Sequence, residues 1–240
     1  MARRLDQELV VRGLAPSRAR AQTLVTEGKV SVDGRIVEKS AFKVDGEDIA
    51  LSGEPEKWVS RAAKKLVHAL DRFGLTPQGI AADIGASTGG FTQVLLAHGA
   101  SQVIAIDVGH GQMDPAVAAD PRVTLRERVN ARHMTVGDLP RLDWVVCDVS
   151  FISLTKALGP ALAAVRPGGQ AVCLVKPQFE VGRTQVGKGG VVRSSMARDR
   201  AVQTIENWIM HQGWRVQGVV QSPIAGGDGN IEYLLAAQRT

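Results

Sequence analysis

The sequence predicts an α/β protein: a Rossmann-like, mostly parallel sheet preceded by a small α+β domain. Two observations support this prediction. From residue 60 onward, short apolar runs alternate with helical patterns, which is typical of parallel strands covered by helices on both faces. Before residue 53, two short helices precede short strands, and the polar, turn-rich residues 53–57 separate the two patterns. We therefore expect domains at 1–52 and 60–240, joined by a linker at 53–59.

Helix and turn signals place the elements of the small domain. A first helix is expected at 5–12, because a glycine follows it. A second is expected at 18–27, between Ser17, a residue typical of helix N-caps, and Gly28, which ends it. Strands are expected at 30–32, 35–37 and 49–51, with an Asp-Gly turn between the first two.

Apolar runs place the elements of the larger domain. It is predicted to begin with an amphipathic helix at 60–73. Strands are expected near 80–85, 102–107, 123–127, 143–149 and 170–176, and helices near 90–98, 153–165 and 196–212. The last two strands, near 215–221 and 231–237, are joined by a short glycine-rich segment. Parallel strands need a long crossover, so we expect these two to form an antiparallel pair that closes the sheet.

The overall composition narrows the class of protein. The 240 residues carry a formal net charge of +5, which favours an anionic partner. The two cysteines, Cys147 and Cys173, each lie within an apolar run, and no His/Cys cluster has metal-ligand spacing, so we expect buried thiols and no metal site. No signal-peptide pattern and no apolar run of membrane-spanning length is found in the sequence. We expect a soluble, cytoplasmic protein that does not bind membranes.

A glycine-rich turn follows the first predicted strand of the larger domain. It runs Asp83-Ile84-Gly85-Ala86-Ser87-Thr88-Gly89-Gly90-Phe91, and a helical pattern begins at its end. Glycines allow a sharp turn and let a ligand approach the backbone. Asp107 ends the next apolar run, 24 residues after Asp83, where nucleotide-binding α/β folds place the acid that binds ribose hydroxyls. The alternative is an ordinary strand-to-helix turn without a ligand. The presence of Asp107 at the end of the next predicted strand favours a ligand site.

The glycine spacing is not the Gly-x-Gly-x-x-Gly of dinucleotide sites, and the turn resembles the S-adenosylmethionine (SAM) loop of a methyltransferase. The resemblance implies that the turn contacts the methionine part of SAM, that Asp107 binds its ribose and that Asn130 contacts its adenine. The expected cofactor-binding residues are Asp83, Gly85, Ala86, Ser87, Gly89, Asp107, Asn130 and Asp148. Two aromatic residues, Phe151 and Phe179, either line this pocket or pack in the core, and the sequence leaves both readings open.

Four further polar residues stand at the ends of predicted elements. Asp148 and Lys176 end neighbouring strands, Glu232 opens the last strand, and Lys65 lies in the first helix of the larger domain. Because the carboxyl ends of parallel strands line ligand crevices, we expect Asp148 and Lys176 to meet. Each residue alone is explained by a strand-end salt bridge, whereas the four together favour a catalytic site. Lys64 is the competing candidate for the helix lysine of the site. We choose Lys65 because its helical neighbours, Ala62 and Ala69, place it nearer the packed side of the helix.

Residue by residue, these four resemble the Lys-Asp-Lys-Glu set of the FtsJ/RrmJ-like ribose 2′-O-methyltransferases. Strings such as Trp-Val-Ser-Arg, Val-Ser-Phe-Ile-Ser-Leu and Leu-Val-Lys-Pro-Gln-Phe-Glu-Val-Gly, spread over nearly the full chain, resemble the TlyA family. Its members are ribosomal-RNA cytidine 2′-O-methyltransferases long named hemolysins. The resemblance implies that Lys176 is the base that removes the hydroxyl proton and that Lys65 orients the hydroxyl. Asp148 and Glu232 would hold the two lysines.

Basic residues cluster in two segments. The small domain, over residues 3–52, resembles the S-four RNA-binding domain, named from a ribosomal protein, through its helix pair and its Gly-Lys-Val-Ser-Val-Asp-Gly hairpin. A glycine-rich basic loop lies within 182–200 and is expected to be mobile beside the active site. The expected RNA contacts are Arg3, Arg4, Ser17, Arg18, Arg20, Lys29, Arg183, Lys188 and Arg193. A merely solvated basic surface is the alternative at both places.

The function predicted from the sequence is SAM-dependent 2′-O-methylation of cytidine in ribosomal RNA. A non-catalytic RNA-binding factor is the second hypothesis, and the intact set of four polar residues argues against it. A membrane-active hemolysin is the third, and the lack of membrane-length apolar runs argues against that. The target nucleotide, the ribosomal subunit and the oligomeric state stay open at this point.

Overall fold

The computed structural model describes residues 2–15, 18–52 and 57–240, and the chain divides into two compact units. The first unit is Met1–Lys57 and the second is Trp58–Thr240. Within the described residues, no helix is both long and apolar enough to cross a membrane.

The first unit packs two helices on short antiparallel strands. In chain order its elements are β1 (Arg3–Arg4), α1 (Leu5–Val11), α2 (Arg18–Thr26), β2 (Val30–Val32), β3 (Arg35–Ile36), β4 (Lys43–Val44) and β5 (Ile49–Leu51). Strand β2 pairs with β3 and β5, and β1 pairs with β4, all antiparallel. The predicted helices and the three predicted strands are present. The β1–β4 pair was not predicted, because two-residue strands show no periodicity.

The second unit contains the larger sheet. Its elements are α3 (Ala62–Phe73), β6 (Gly79–Ile84), α4 (Gly90–Ala97), β7 (Ala100–Ile106), α5 (Pro115–Ala118), β8 (Val123–Arg126), β9 (Leu142–Cys147), α6 (Leu154–Ala157), α7 (Gly159–Ala164), β10 (Val165–Val175), α8 (Pro177–Glu180), α9 (Ser195–His211), β11 (Trp214–Gln221) and β12 (Tyr233–Arg239). The helix predicted at 153–165 is two short helices, α6 and α7. Pro160, which has no N–H to donate, lies in the first turn of α7, which begins at Gly159.

The seven strands lie in the order β11-β12-β10-β9-β6-β7-β8. Strands β10, β9, β6, β7 and β8 are mutually parallel, and β12 runs antiparallel between β10 and β11. The chain leaves β6 toward β7 and β8 and then returns to β9 on the other side of β6. The carboxyl ends of β6 and β9 therefore form the topological switch point, where open α/β sheets bind ligands.

Apolar side chains fill both faces of this sheet. Leu66 of α3 and Leu95 of α4 belong to the buried cluster on one face. Leu158, which follows α6, and Ile205 of α9 belong to the cluster on the other face. Cys147 is a buried free thiol on β9, as is the second cysteine on β10. The three-layer architecture confirms the predicted fold class and places the switch point between packed helices.

Candidate active site

Two adjoining cavities open at the switch point. The first has a volume of about 330 Å³ and the second of about 510 Å³. Gly85, Ser87, Asp148 and Ser150 line both cavities. The loops that follow β6 and β9 thus form a shared wall, and two adjoining cavities offer space for a cofactor and a second substrate.

The turn after β6 brings backbone, rather than side chains, to this wall. Gly85 has φ +86°, and a Cβ there would lie 2.7 Å from the carbonyl oxygen of Asp148. Only glycine combines this conformation with so close an approach. The Gly85 N–H donates to the carbonyl oxygen of Ile106 at 2.8 Å, which ties the turn to β7. Ser87 also has a positive φ, +46°.

Asp107 fixes the turn from the end of β7. Its Oδ2 accepts a hydrogen bond from the N–H of Ser87 at 2.8 Å, and its Oδ1 accepts one from the N–H of Gly109 at 2.6 Å. Asp107 and Asn130, which the sequence analysis assigned to the ribose and the adenine, both line the second cavity. Asn130 uses its side-chain oxygen to cap a short 3-10 turn, accepting from the N–H of Arg132 at 3.0 Å.

Two of the predicted cofactor contacts, Asp83 and Gly89, do not line either cavity. Asp83 is fully buried, and Thr92 Oγ1 donates to its Oδ2 at 2.7 Å. Burial raises the pKa of Asp83 to about 7, against the opposing effect of the Thr92 hydrogen bond. Gly89 faces Val117 of α5, 2.9 Å from where its Cβ would lie. The contact of these two residues with SAM stays a prediction.

The four polar residues form two ion pairs. Nζ of Lys176 lies 2.6 Å from Oδ1 of Asp148, and Nζ of Lys65 donates to Oε2 of Glu232 at 2.5 Å. Lys65, Lys176 and Glu232 are 8%, 9% and 3% exposed. Lys65, Asp148 and Lys176 line the first cavity, and Glu232 supports Lys65 from behind. Lys64, by contrast, lies on the exposed side of α3.

Ser150 is a site residue that the sequence analysis missed. Its Oγ accepts a hydrogen bond from Nζ of Lys176 at 2.8 Å. Ser60 and Arg61 also line the first cavity, and the Ser60 hydroxyl is buried. Both serines belong to strings that carried the family resemblance, but a single serine has no periodicity or spacing that assigns it a role.

The open question about the two phenylalanines has a structural answer for Phe151. Phe151 is 90% exposed, has φ +66° and lines the second cavity, so it is not a core residue. Its ring centre lies 5.2 Å from that of Phe179, with the planes tilted by 52°. Glu180 holds the loop that carries Phe151, because its carboxylate accepts from Ser153 Oγ at 2.6 Å and from the Leu154 N–H at 2.9 Å.

The predicted RNA contacts fall into two groups. In the first unit, Arg3, Arg4, Arg18, Arg20 and Lys29 lie within the described residues, whereas Ser17 lies outside them. Arg3 pairs with Glu8 at 2.7 Å, and Lys29 pairs with Glu27 at 2.8 Å.

In the second unit, Lys188 and Arg193 are exposed, and the side chain of Arg183 lies outside the described set. The loop predicted to be mobile is tied down at its second half. The side chain of Asn230, 1% exposed, accepts from the Val192 N–H at 3.0 Å and donates to the Gly190 carbonyl at 2.9 Å. Glycine content alone could not reveal this anchor.

Among the described residues, no group of three His, Cys, Asp or Glu side chains could hold a metal ion.

Comparison with known proteins identifies both parts of the chain. Residues 58–239 match the FtsJ-like methyltransferase family, and residues 3–49 match the S4 domain. The 16S/23S rRNA (cytidine-2′-O)-methyltransferase TlyA of Mycobacterium tuberculosis is 46% identical, over 98% of this chain and 90% of that protein. Hemolysin A of Brachyspira hyodysenteriae is 39% identical, over 96% of this chain and 98% of that protein.

Solved structures agree with this assignment. A protein from Streptococcus thermophilus, 39% identical, has a TM-score of 0.79 and matches 100% of this chain and 89% of its own. An S-adenosylmethionine-dependent methyltransferase from Mesorhizobium loti, 17% identical, has a TM-score of 0.54 over 72% of this chain and 96% of its own, which shows the shared fold alone. The chain therefore belongs to the FtsJ-like methyltransferase family, in the group of the TlyA proteins, and carries an S4 domain near its N-terminus.

Proposed function

We propose that this chain uses SAM to methylate the ribose 2′-hydroxyl of cytidine in ribosomal RNA. One observation carries the proposal: two buried lysines, each paired with a carboxylate, stand on one cavity wall beside a backbone turn that needs glycine. The relative with 46% identity, which matches nearly the whole chain, bears the same activity in its name. The proposal extends that activity, with its nucleotide and its type of RNA, to this chain.

The residues around the second cavity fit SAM. Gly85 keeps its wall free of side-chain atoms, so a flat nucleoside can lie against the backbone. The lone pairs of Asp107 that are not used for Ser87 and Gly109 suit ribose hydroxyls. Ala86 and Ser87 would contact the methionine part and Asn130 the adenine. When bound, SAM supplies a methyl group attached to a positively charged sulfur.

The lysine pairs supply what the ribose requires. A 2′-hydroxyl must lose its proton as its oxygen attacks the methyl carbon. Nζ of Lys176 is held in the first cavity by Asp148 and Ser150, and it accepts that proton if it enters the reaction as a neutral amine. Lys65, held by Glu232, presents a positive charge on the same wall and orients the hydroxyl oxygen. Fixed positions of this kind lower the entropic cost of aligning the reacting atoms.

The RNA is proposed to bind through both basic groups. Phosphate contacts from arginine and lysine position a nucleic acid without reading its sequence. Arg3, Arg4, Arg18, Arg20 and Lys29 would provide them from the first unit, and Lys188 and Arg193 from the second. Ser17 and Arg183 are also proposed as RNA contacts, and for these two residues the support comes from the sequence only.

Methylation mapping tests the proposed function. Purified protein is incubated with methyl-labelled SAM and ribosomal subunits from cells that lack it, and the RNA is digested to nucleosides for mass spectrometry. We expect 2′-O-methylcytidine with the wild-type protein and none with Lys176→Ala. Methyl transfer to a base would overturn the proposed reaction. Binding of ribosomal subunits without any transfer, in the presence of bound SAM, would favour a non-catalytic RNA-binding factor.

A further inference from the structure

One carboxylate in the first unit is completely buried although it lies among cations. Asp6, in the first turn of α1, is 0% exposed. Arg4 donates to it twice, from Nε to Oδ1 and from Nη2 to Oδ2, both at 3.0 Å. Arg18 Nε donates to Oδ2 at 3.0 Å, and Gln22 Nε2 donates to the same oxygen at 2.8 Å. One acid thus joins the chain before α1 to two positions on α2.

The two arginines remain at the surface while their anchor is buried. Their side chains are 39% and 53% exposed for Arg4 and Arg18. The hydrogen bonds to Asp6 use one edge of the Arg4 guanidinium and only the Nε of Arg18. Nη1 of Arg4 and both Nη groups of Arg18 are not used by Asp6, and these are the donors that suit phosphate oxygens.

The shared carboxylate solves a problem of repulsion and entropy. Two guanidinium groups close together repel each other, and each long side chain loses rotamer freedom when a ligand fixes it. Asp6 offsets one of the two charges and fixes both groups before RNA arrives. The arginine hydrogen bonds hold the pKa of Asp6 well below its usual range, so the anchor stays ionised at any pH at which the protein works.

We propose that Asp6 is a positioning residue for RNA: it holds Arg4 and Arg18 as a preformed pair of guanidinium groups that grips a phosphate of the RNA backbone. The inference rests on the proposed function, in which the substrate is ribosomal RNA. Asp6 does not touch the RNA. It contributes to affinity because the cost of ordering two arginine side chains has already been met in the free protein.

Replacing Asp6 by asparagine separates positioning from simple electrostatics. Asp6→Asn removes a negative charge, so attraction to RNA through net charge alone would strengthen. Positioning predicts the opposite. In the full chain, we expect Asp6→Asn to weaken binding to ribosomal subunits by about three- to tenfold. The slope of log affinity against log salt should become shallower by roughly one unit, because about one phosphate contact is lost. A labelled RNA hairpin, followed by fluorescence anisotropy over a series of KCl concentrations, gives the same comparison.

Glu38→Gln is the matched control. Glu38 is an exposed acid of the same unit, and its removal changes the net charge equally. We expect affinity equal to or slightly above wild type. A double-mutant cycle adds a second readout: Arg18→Ala should cost less affinity when Asp6 is already asparagine than in the wild-type chain.

The outcomes distinguish the two levels of the proposal. If the wild-type chain does not bind ribosomal subunits, the proposed function itself fails. If it binds, and folded Asp6→Asn binds as tightly or more tightly, the positioning role is wrong while the function stands. If Asp6→Asn unfolds the first unit, Asp6→Glu decides, because it keeps the charge and moves the carboxylate. If Asp6→Glu, measured at a temperature at which the variant is folded, binds RNA more weakly than wild type, positioning is supported. An affinity equal to that of wild type overturns it.

Discussion

Nζ of Lys176 lies 2.6 Å from Oδ1 of Asp148, and the two residues follow the carboxyl ends of neighbouring parallel strands, β10 and β9. The pair is therefore placed by the sheet itself. Cys173 of β10 is in register with Cys147, the last residue of β9, and β10 continues to Val175, so Asp148 and Lys176 follow their strands at the same edge of the sheet. A single register shift would separate the lysine from its acid.

Lys176→Ala should abolish methylation while SAM and RNA binding stay near wild type. A group that acts only as the base contributes in the transition state, so we expect a loss of roughly 10²–10⁴-fold in kcat. Lys176→Arg should not restore activity, because a guanidinium remains protonated. Single-turnover methylation of ribosomal subunits measures the rate, and calorimetry measures SAM affinity. An active Lys176→Arg enzyme would assign the base elsewhere.

Lys65 and Lys64 are neighbours with opposite expected effects. Lys65→Ala leaves Glu232, 3% exposed, without its cation, and loss of one partner of a buried ion pair costs about 3–5 kcal/mol. We expect lost activity together with a lower melting temperature. Lys64→Ala removes the same charge from the exposed side of α3, and we expect a change in stability within about 0.5 kcal/mol and near-normal activity. Thermal unfolding and methylation assays on both variants check this. The reverse pattern would show that the wrong lysine was chosen.

Gly85→Ala should eliminate SAM binding. The new Cβ would lie 2.7 Å from the Asp148 carbonyl oxygen, at a φ of +86°. Gly111→Ala is the matched control, since Gly111 also has a positive φ, +65°, and no atom lies within 4 Å of its Cβ position. The control carries the backbone strain, about 1–2 kcal/mol, without the clash. Calorimetric titration with SAM should give no binding for the first variant and near-normal binding for the second. Equal effects would mean that strain alone governs the turn.

Asp83 should make stability depend on pH. Its pKa is about 7 in the folded chain against an ordinary value of 3.8. Between about pH 4 and 7 the unfolded chain has released this proton while the folded chain keeps it, so stability contributed by this group falls as pH rises. Asp83→Asn stays neutral, and its stability relative to wild type should rise across that window and level off above pH 7. Urea unfolding at a series of pH values measures the difference.

Asp120→Asn is the control for that experiment. Asp120 pairs with Arg122, which lowers the pKa of Asp120 to about 2. Its contribution is present above its ordinary pKa and is lost only as pH falls toward 2, so the difference between this variant and wild type should be flat between pH 5 and 7. A flat profile for Asp83→Asn as well would show that its folded pKa is not raised.

A chain that begins at Trp58 should fold and bind SAM but lose affinity for ribosomal subunits. Trp58 belongs to the second unit: its ring stacks on His98 with centres 6.3 Å apart. The N–H of Val59 donates to Gln93 Oε1 at 2.8 Å, so both residues should be kept. Circular dichroism, SAM calorimetry and co-sedimentation with subunits test the three expectations. Wild-type co-sedimentation of the shortened chain would place RNA recognition in the second unit.

The sequence predicted the sheet and the paired lysines because both depend on strong local signals. Long apolar runs set the strands, and the ends of those runs placed Asp148 and Lys176 at the same edge. The alanines beside Lys65 identified the buried side of α3. The site's support was not predictable in the same way. Asp83 accepts from Thr92, Gly89 packs on Val117 of α5 and Ser150 lies beside Lys176, and each contact depends on how elements pack together rather than on a local sequence pattern.

The smallest elements escaped prediction for a related reason. The pair formed by β1 and β4 involves two residues on each side, and helix α5 has four residues that begin with Pro115. Such segments depend on their neighbours for hydrogen bonds and carry too few residues for a periodic pattern. The anchor of the basic loop is likewise a single amide, that of Asn230, 38 residues from its partner Val192.

The position of β12 has a consequence for biosynthesis. This strand is the last of the sheet to leave the ribosome, yet it occupies an interior place, between β10 and β11. Until it is made, both of those strands present open edges, which are the surfaces that promote aggregation in nascent chains. Glu232, immediately before β12, arrives at the same moment. Closure of the sheet and completion of the lysine–carboxylate set are thus one late event, and a chain interrupted before β12 has neither.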